Sequence, residues 1–313
     1  MEFGSSEPRD SGGELSVVVA SFCGPEVVLR CVQSVRKAAR DAEVIVATSD
    51  IQTAEAVSQR FPMVRVVVAP AASSVFFLRS AGASVAGGRL VALTEDHCTV
   101  SDDWARTLLA AHAGGAVAMG GPVENGATGR AYDWALFFAE YGFYLGPVAA
   151  GAASALTGIN AAYDREVLMS CREAWSAEFR ENEVHDVLRV RGVKLEMVPG
   201  AVVESHLPMR LGAAMGHLFG GGRHFAAYRR SKATRGGRVG WVLASPAVLG
   251  VLLVKLARRA WRRGWRTLAA FVWSLPFLVL LLGAWSAGEV VGYAVGENTF
   301  GGAARSERKL AAP

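Results

Sequence analysis

The first two-thirds of this sequence predict an α/β fold with a doubly wound, mostly parallel sheet, and the last third predicts helices that associate with a membrane. Three observations carry that expectation. Short apolar runs alternate with helical patterns between residues 15 and 94, which implies parallel βαβ units. The fourth apolar run stops in Glu95, Asp96 and His97, and open α/β sheets bind ligands at the carboxyl edge of their strands. Beyond residue 207 the character changes: residues 208–266 hold 13 Lys and Arg and no acid.

The elements follow in order. Residues 1–14 are polar and rich in Gly and Ser, a composition that favours disorder. Leu15–Ser21 is an apolar run that reads as a first strand. Pro25 suits the first position of a helix, whose Val28, Leu29, Val32 and Val35 are expected to face inward. Glu43–Thr48 reads as the second strand and ends in Ser49 and Asp50. Ile51–Arg60 is helical, 64–69 is a third strand, and 73–86 is a helix containing Arg79. No Gly-x-Gly-x-x-Gly follows the first strand, which argues against a dinucleotide-dependent dehydrogenase.

Residues 89–94 form the fourth strand, and Ser101 or Asp102 can cap a helix carrying Trp104. Side chains alternate along a strand, so Glu95 and His97 are expected on one side and Asp96 on the other. A carboxylate with an imidazole suits a divalent cation of the Mn²⁺ type. A further strand is expected at 116–119, and the aromatic stretch 132–144 reads as a core helix or an acceptor-facing loop. Residues 156–163 read as a strand interrupted by Gly158, where a ligand can approach the backbone. The helix at 178–191 places Glu181 roughly 60° from Val184, toward the core. A carboxylate turned inward there needs a partner or a task. Closing strands at 194–198 and 201–205 lead to His206.

The four cysteines, Cys23, Cys31, Cys98 and Cys171, lack metal-ligand or disulfide spacing and read as small buried residues of a reducing compartment. No signal peptide opens the chain, which predicts a cytoplasmic catalytic part. Residues 208–238 read as a basic juxtamembrane segment, 239–296 as membrane-associated helices and 297–313 as a tail. The uncharged run 239–254 makes about 24 Å of helix, short of a crossing, whereas 267–288 makes about 33 Å. The first is therefore expected to be interfacial or re-entrant and the second able to span, with a two-helix hairpin as the rival. Arginines interleaved with Trp261 and Trp265 between apolar runs suit an anionic membrane surface better than nucleic acid.

Taken together these features resemble the GT-A-fold glycosyltransferases of family 2. The residues that carry the resemblance are Leu15–Ser21 with Pro25, Thr48-Ser-Asp50, Arg79, the cluster 95–97, and Glu181 before a closing helix. It covers residues 15 to 206, which delimits a catalytic domain at 15–207. In place of the usual Asp-x-Asp stands Glu95-Asp-His97, similar to the Asp-x-His-Cys motif of polypeptide N-acetylgalactosaminyltransferases, with Cys98 in the matching place. His206 matches the later histidine that completes that group's metal site. The resemblance implies Mn²⁺ or Mg²⁺ held by Glu95, His97 and His206, with the choice between Glu95 and Asp96 left open. It implies a base pocket of Ala20, Ser21, Phe22, Ser49 and Asp50, Arg79 near the diphosphate or ribose, and Glu181 as catalytic base. The Gln/Arg-x-x-Arg-Trp signature of processive polymerases is absent, so the expected activity is inverting transfer of one sugar from a nucleoside-diphosphate sugar. The acceptor implied is a lipid or lipid-linked saccharide at the cell membrane. A membrane-bound nucleotidyl- or phospho-transferase and a non-catalytic adaptor of the same fold are the alternatives.

Overall fold

The computed structural model describes residues 13–231 and 235–296, with the side chains of 231–248 outside the description. The expectations for the N-terminal segment before residue 13 and for the tail 297–313 lie outside the described residues. The chain divides into two compact units, one of residues 1–124 and 146–206 and one of residues 125–145 and 207–313.

The first unit is built on an eight-stranded sheet. Its strands are β1 (Leu15–Ser21), β2 (Glu43–Thr48), β3 (Arg65–Val68), β4 (Leu90–Glu95), β6 (Ala118–Gly120), β8 (Gly151–Ala152), β9 (Ala161–Asp164) and β10 (Glu196–Met197). Their spatial order is β3-β2-β1-β4-β9-β6-β10-β8. Strands β1 to β4 are mutually parallel, and β9 runs antiparallel between β4 and β6. Every residue of β1 and β4 is buried, as the near-continuous apolar runs of parallel strands require. The crossovers are α1 (Pro25–Ala38), α2 (Ile51–Arg60) and α3 (Val75–Val85). A second, three-stranded sheet orders β5 (Cys98–Val100), β11 (Val203–Ser205) and β7 (Val123–Asn125) as β5-β11-β7.

Helix α4 (Trp104–Ala113) starts behind Asp103, which makes no side-chain cap bond, rather than behind Ser101 or Asp102. Trp104 is fully buried, and its indole donates to Asn160 Oδ1 at 3.0 Å. The Asn160 amide in turn donates to the carbonyls of Pro122 and Ala201, at 3.0 and 2.8 Å. This buried amide is fully used and ties three loops to the sheet, since an unpaired one is costly. The helices α6 (Arg165–Ser170) and α7 (Glu181–Val190) complete the unit.

The second unit is helical: α5 (Ala131–Tyr141), α8 (Leu211–Ser231), α9 (Arg235–Arg263) and α10 (Trp265–Val295). The aromatic stretch is thus a packing helix, with Phe137 and Phe138 buried. Most of the expected basic linker folds into α8. Its buried positions Ala214, Leu218 and Ala226 recur at the spacing of one helix face. Gly264, at φ 127°, breaks α9 from α10, a backbone conformation that favours glycine. Among the described residues, α10 is the one helix long and apolar enough to cross a membrane.

Candidate active site

The spatial order β3-β2-β1-β4 means that the connections from β1 and β4 leave in opposite senses, and such a reversal opens a crevice at the carboxyl ends of the strands. Ala20 stands beside Ala47 of β2 and Glu95 of β4 in register. The ends of β1, β2 and β4 therefore deliver Ser21, Ser49 and Glu95 to one edge.

Strand β4 ends at Glu95, and Asp96 and His97 form a turn. Alternation beyond residue 95 therefore fails: Asp96 does not face away from its neighbours. Its N–H donates to the Ala20 carbonyl at 3.1 Å, and its side chain folds under the turn that follows β1. There Oδ2 accepts from Ser21 Oγ at 2.9 Å, Phe22 N at 2.7 Å and Cys23 N at 2.6 Å. Burial pushes the Asp96 carboxyl up to about 6, although those hydrogen bonds pull it down. Its other oxygen, Oδ1, is buried with no hydrogen-bond partner among the described residues.

His97 is fully buried, with Phe22 edge-on to its ring at 5.9 Å. Its Nδ1 lies 3.5 Å from Glu95 Oε2 and 3.9 Å from Asp96 Oδ1. Donors about 2.1 Å from a single cation stand roughly 3 to 4 Å apart, and His97 Nδ1 stands at that spacing from one oxygen of each carboxylate. Glu95 meets the imidazole from outside the close group, in which the ligand atoms of Asp96, His97 and Cys23 all lie within 4.8 Å of one another. Burial and the Asp96 carboxylate push the Cys23 thiol well up. A protonated sulfur suits a hard cation poorly, which leaves the carboxylates and the imidazole. Cys23 is the cluster member that sequence reading passed over. Its one signal is its place in the turn after β1.

His206 reaches the same edge through pairing of the small sheet. Ser205 is in register with Cys98, and the His206 N–H donates to the His97 carbonyl at 2.8 Å. Its ring faces Thr99 Oγ1 at 3.1 Å and Glu204 at 3.7 Å and lies outside the close cluster. Ser49 and Asp50 sit at the end of β2, where Asp50 caps α2. It accepts from the N–H groups of Gln52 and Thr53 and from Thr53 Oγ1.

Arg79 is buried and joins two carboxylates: it bonds Glu95 through one guanidinium nitrogen and Glu181 through the other, at 2.8 Å for the latter. Phe76 lies 5.5 Å from the same guanidinium. A Cβ on Gly158 would fall 2.3 Å from Arg79 Cζ. The group that presses on the Gly158 backbone is therefore this guanidinium rather than a ligand. Glu181 opens α7, and its side chain remains 22% exposed, the one carboxylate of the three with an edge to solvent. Burial would raise its pKa, but Arg79, the N–H groups of Glu181 and Gly158, and His185 hold it below the usual carboxylate value. One turn on, His185 is buried against the Tyr163 hydroxyl at 2.8 Å, and burial lowers its pKa to about 4.

A family model described as glycosyl transferase family 2 matches residues 16–172, half of the chain. Among solved structures, the mannosyltransferase PcManGT from Pyrobaculum calidifontis, in complex with GDP-Man and Mn²⁺, is 15% identical at a TM-score of 0.52. That likeness covers 97% of this chain and 89% of that one. GalNAc-T7 with UDP, GalNAc and Mn²⁺ is 19% identical at a TM-score of 0.46, covering 62% of this chain and 44% of that one. At 15% identity the likeness to the mannosyltransferase is one of fold. No curated protein matches this chain.

Proposed function

This chain belongs to glycosyltransferase family 2, and from that premise we propose that it transfers a single sugar, with inversion, from a nucleoside-diphosphate sugar to a lipid or lipid-linked saccharide. The observation that carries the reading is the Glu95–Arg79–Glu181 bridge. The bridge joins Glu95, beside His97, to a solvent-edged carboxylate at the carboxyl end of the sheet, which supports a site where a cation-bound donor would meet an acceptor.

Each residue has a task in this scheme. The donor lies over the carboxyl ends of β1 and β2, with Ala20, Ser21, Phe22, Ser49 and Asp50 around its base. Glu95, Asp96 and His97 would hold Mn²⁺ or Mg²⁺, with His206 as the further ligand that the motif implies. When bound, the cation supplies positive charge against the departing diphosphate. Glu181 takes the proton of the acceptor hydroxyl as that oxygen attacks the anomeric carbon from the side opposite the leaving group. Arg79 orients Glu181 and offsets its charge. The basic, Trp-bearing helices of the second unit would keep the catalytic unit at the cytoplasmic face of the cell membrane, where such acceptors reside.

The test is a screen of nucleoside diphosphates and their sugars by thermal shift with and without Mn²⁺, followed by product analysis. A ligand that binds the native state raises its melting point. The expected result is a cation-dependent shift with one donor and release of the nucleoside diphosphate. Pyrophosphate release would assign the site to nucleotidyl transfer, and silence with every donor from a folded chain would leave a non-catalytic adaptor.

A further inference from the structure

Helix α10 has two unlike faces. One is covered along its length by other helices of the second unit. Phe138 of α5 packs on Phe271 at 5.4 Å, and Tyr132 packs on Phe277 at 5.8 Å. Farther on, α8 takes over: a Cβ at Gly288 would meet the Phe219 carbonyl at 2.0 Å, and one at Gly292 the Arg223 carbonyl at 2.3 Å. Arg223 and Arg230 then donate to the carbonyls of Gly296 and Ala294.

The opposite face is bare and uncharged. Ala269, Val272, Trp273, Pro276, Leu280 and Ala287 are exposed at spacings that place them on one side of a helix. Val272 is 57% exposed, Trp273 54% and Leu280 49%. At the head of this stripe stands the α9–α10 elbow, with Trp261 and Trp265 more than 70% exposed and Arg258, Arg262 and Arg266 exposed among them.

We propose that α10 lies in the plane of an anionic bilayer and does not cross it. The stripe sinks into the boundary between headgroups and acyl chains, the elbow meets the phosphates, and α5 and α8 remain on the watery side. This inference rests on the membrane reading given above and specifies its geometry. A crossing needs about 20 residues in hydrocarbon. Every such window of α10 includes a part that α5 or α8 covers, so those helices would have to enter with it. They bring ionisable groups: Asp133 and Glu140 on α5, His217 and Arg223 on α8, with His217 3.6 Å from Glu140. Ionisable groups at that depth are expensive. Lying flat, the same helix offers lipid only its apolar stripe. A second copy of the chain is a poor occupant, because its own stripe carries no acid to meet the arginines of the elbow, whereas anionic headgroups are complementary to them.

The experiment uses the full chain on vesicles of phosphatidylcholine with 30% phosphatidylglycerol. Nitroxide labels at Ala269→Cys, Trp273→Cys, Leu280→Cys and Ala287→Cys report depth, with the parent chain correcting for labelling of Cys23. The expected result is one shared depth, within about 5 Å. A helix that crosses would show a steady gradient approaching about 27 Å over these 18 positions, which would overturn the in-plane geometry while leaving membrane association standing. Failure to float with the vesicles would remove both. Immobilised labels and a doubled mass in lipid-free solution would assign the stripe to a second copy and overturn the proposal. As a measurement that leaves the stripe intact, Arg262→Gln and Arg266→Gln should each weaken vesicle binding by roughly five-fold; unchanged binding would contradict the role given to the elbow.

Discussion

Arg79 carries two negative charges on one buried guanidinium, and the consequences can be read one side chain at a time. Glu181→Gln keeps the shape of the group and its place beside Arg79 but removes the lone pair that takes a proton. Turnover should fall by about 10² to 10⁴ with donor affinity unchanged, as measured by product assay and calorimetry. Arg79→Gln should act differently. With the guanidinium gone, burial is left to raise the Glu181 pKa, so the acid limb of kcat/KM should move to higher pH. An unmoved limb would show that the two residues do not share a charge. Gly158→Ala places a methyl where the guanidinium lies and should shift the same limb in the same direction. In the sequence, Glu181 was legible because helical periodicity turned it toward the core. Asp96 was not, because alternation holds only inside a strand and β4 stops one residue earlier. Gly158 signalled a close approach correctly, but no local pattern names a partner that is 79 residues away in sequence.

At the scale of elements, the first four strands and their helices were legible because each is a continuous apolar run closed by a turn residue or a cap. The later strands were harder. β9 runs only from Ala161 to Asp164 and is antiparallel to both neighbours, so its length and direction depend on pairing that a single run does not encode. Asp50 poses a choice between roles: it caps α2 with three hydrogen bonds and stands where the base pocket is proposed. Asp50→Ala should cost about 1 kcal/mol of stability as a lost cap. Asp50→Ser restores a cap, so a donor affinity that stays low in that variant would assign the carboxylate to the pocket. In the second unit, α8 and α10 approach so closely that Gly288 and Gly292 leave no room for a side chain. Gly292→Val should separate them, lowering the melting temperature of the helical unit, while Ala287→Val on the exposed face should leave it unchanged.

For the whole molecule, two buried groups give stability opposite pH slopes. His185 titrates near 4 in the folded chain and near 6.5 when unfolded. Its neutral form is favoured, so its share of stability is complete above pH 6.5 and lost as pH falls. Asp96 titrates near 6 when folded against an ordinary 3.8. It keeps its proton in the native state, so stability falls as pH rises between those values. Each effect is ~3 kcal/mol at full extent, and between about pH 4.5 and 6 they offset. In chelator-treated protein, His185→Gln should remove one slope. Acidification from pH 6.5 to 4.5 should then destabilise the variant less than the parent, by about 2 kcal/mol in denaturant titrations. The charge asymmetry of the chain was legible from composition alone, with all of the unbalanced basic residues in 208–266. The grouping of 125–145 with the C-terminal helices was not, because it arises from tertiary packing of Phe138 and Tyr132 on α10. All of the chemistry proposed rests on a cation held beside His97. Counting bound Mn²⁺ by electron paramagnetic resonance, with and without a nucleoside diphosphate, tests that most directly. One equivalent bound in the nucleotide's presence, and lost in His97→Ala with the fold intact, is the predicted result; equal Mn²⁺ binding by both proteins would contradict it.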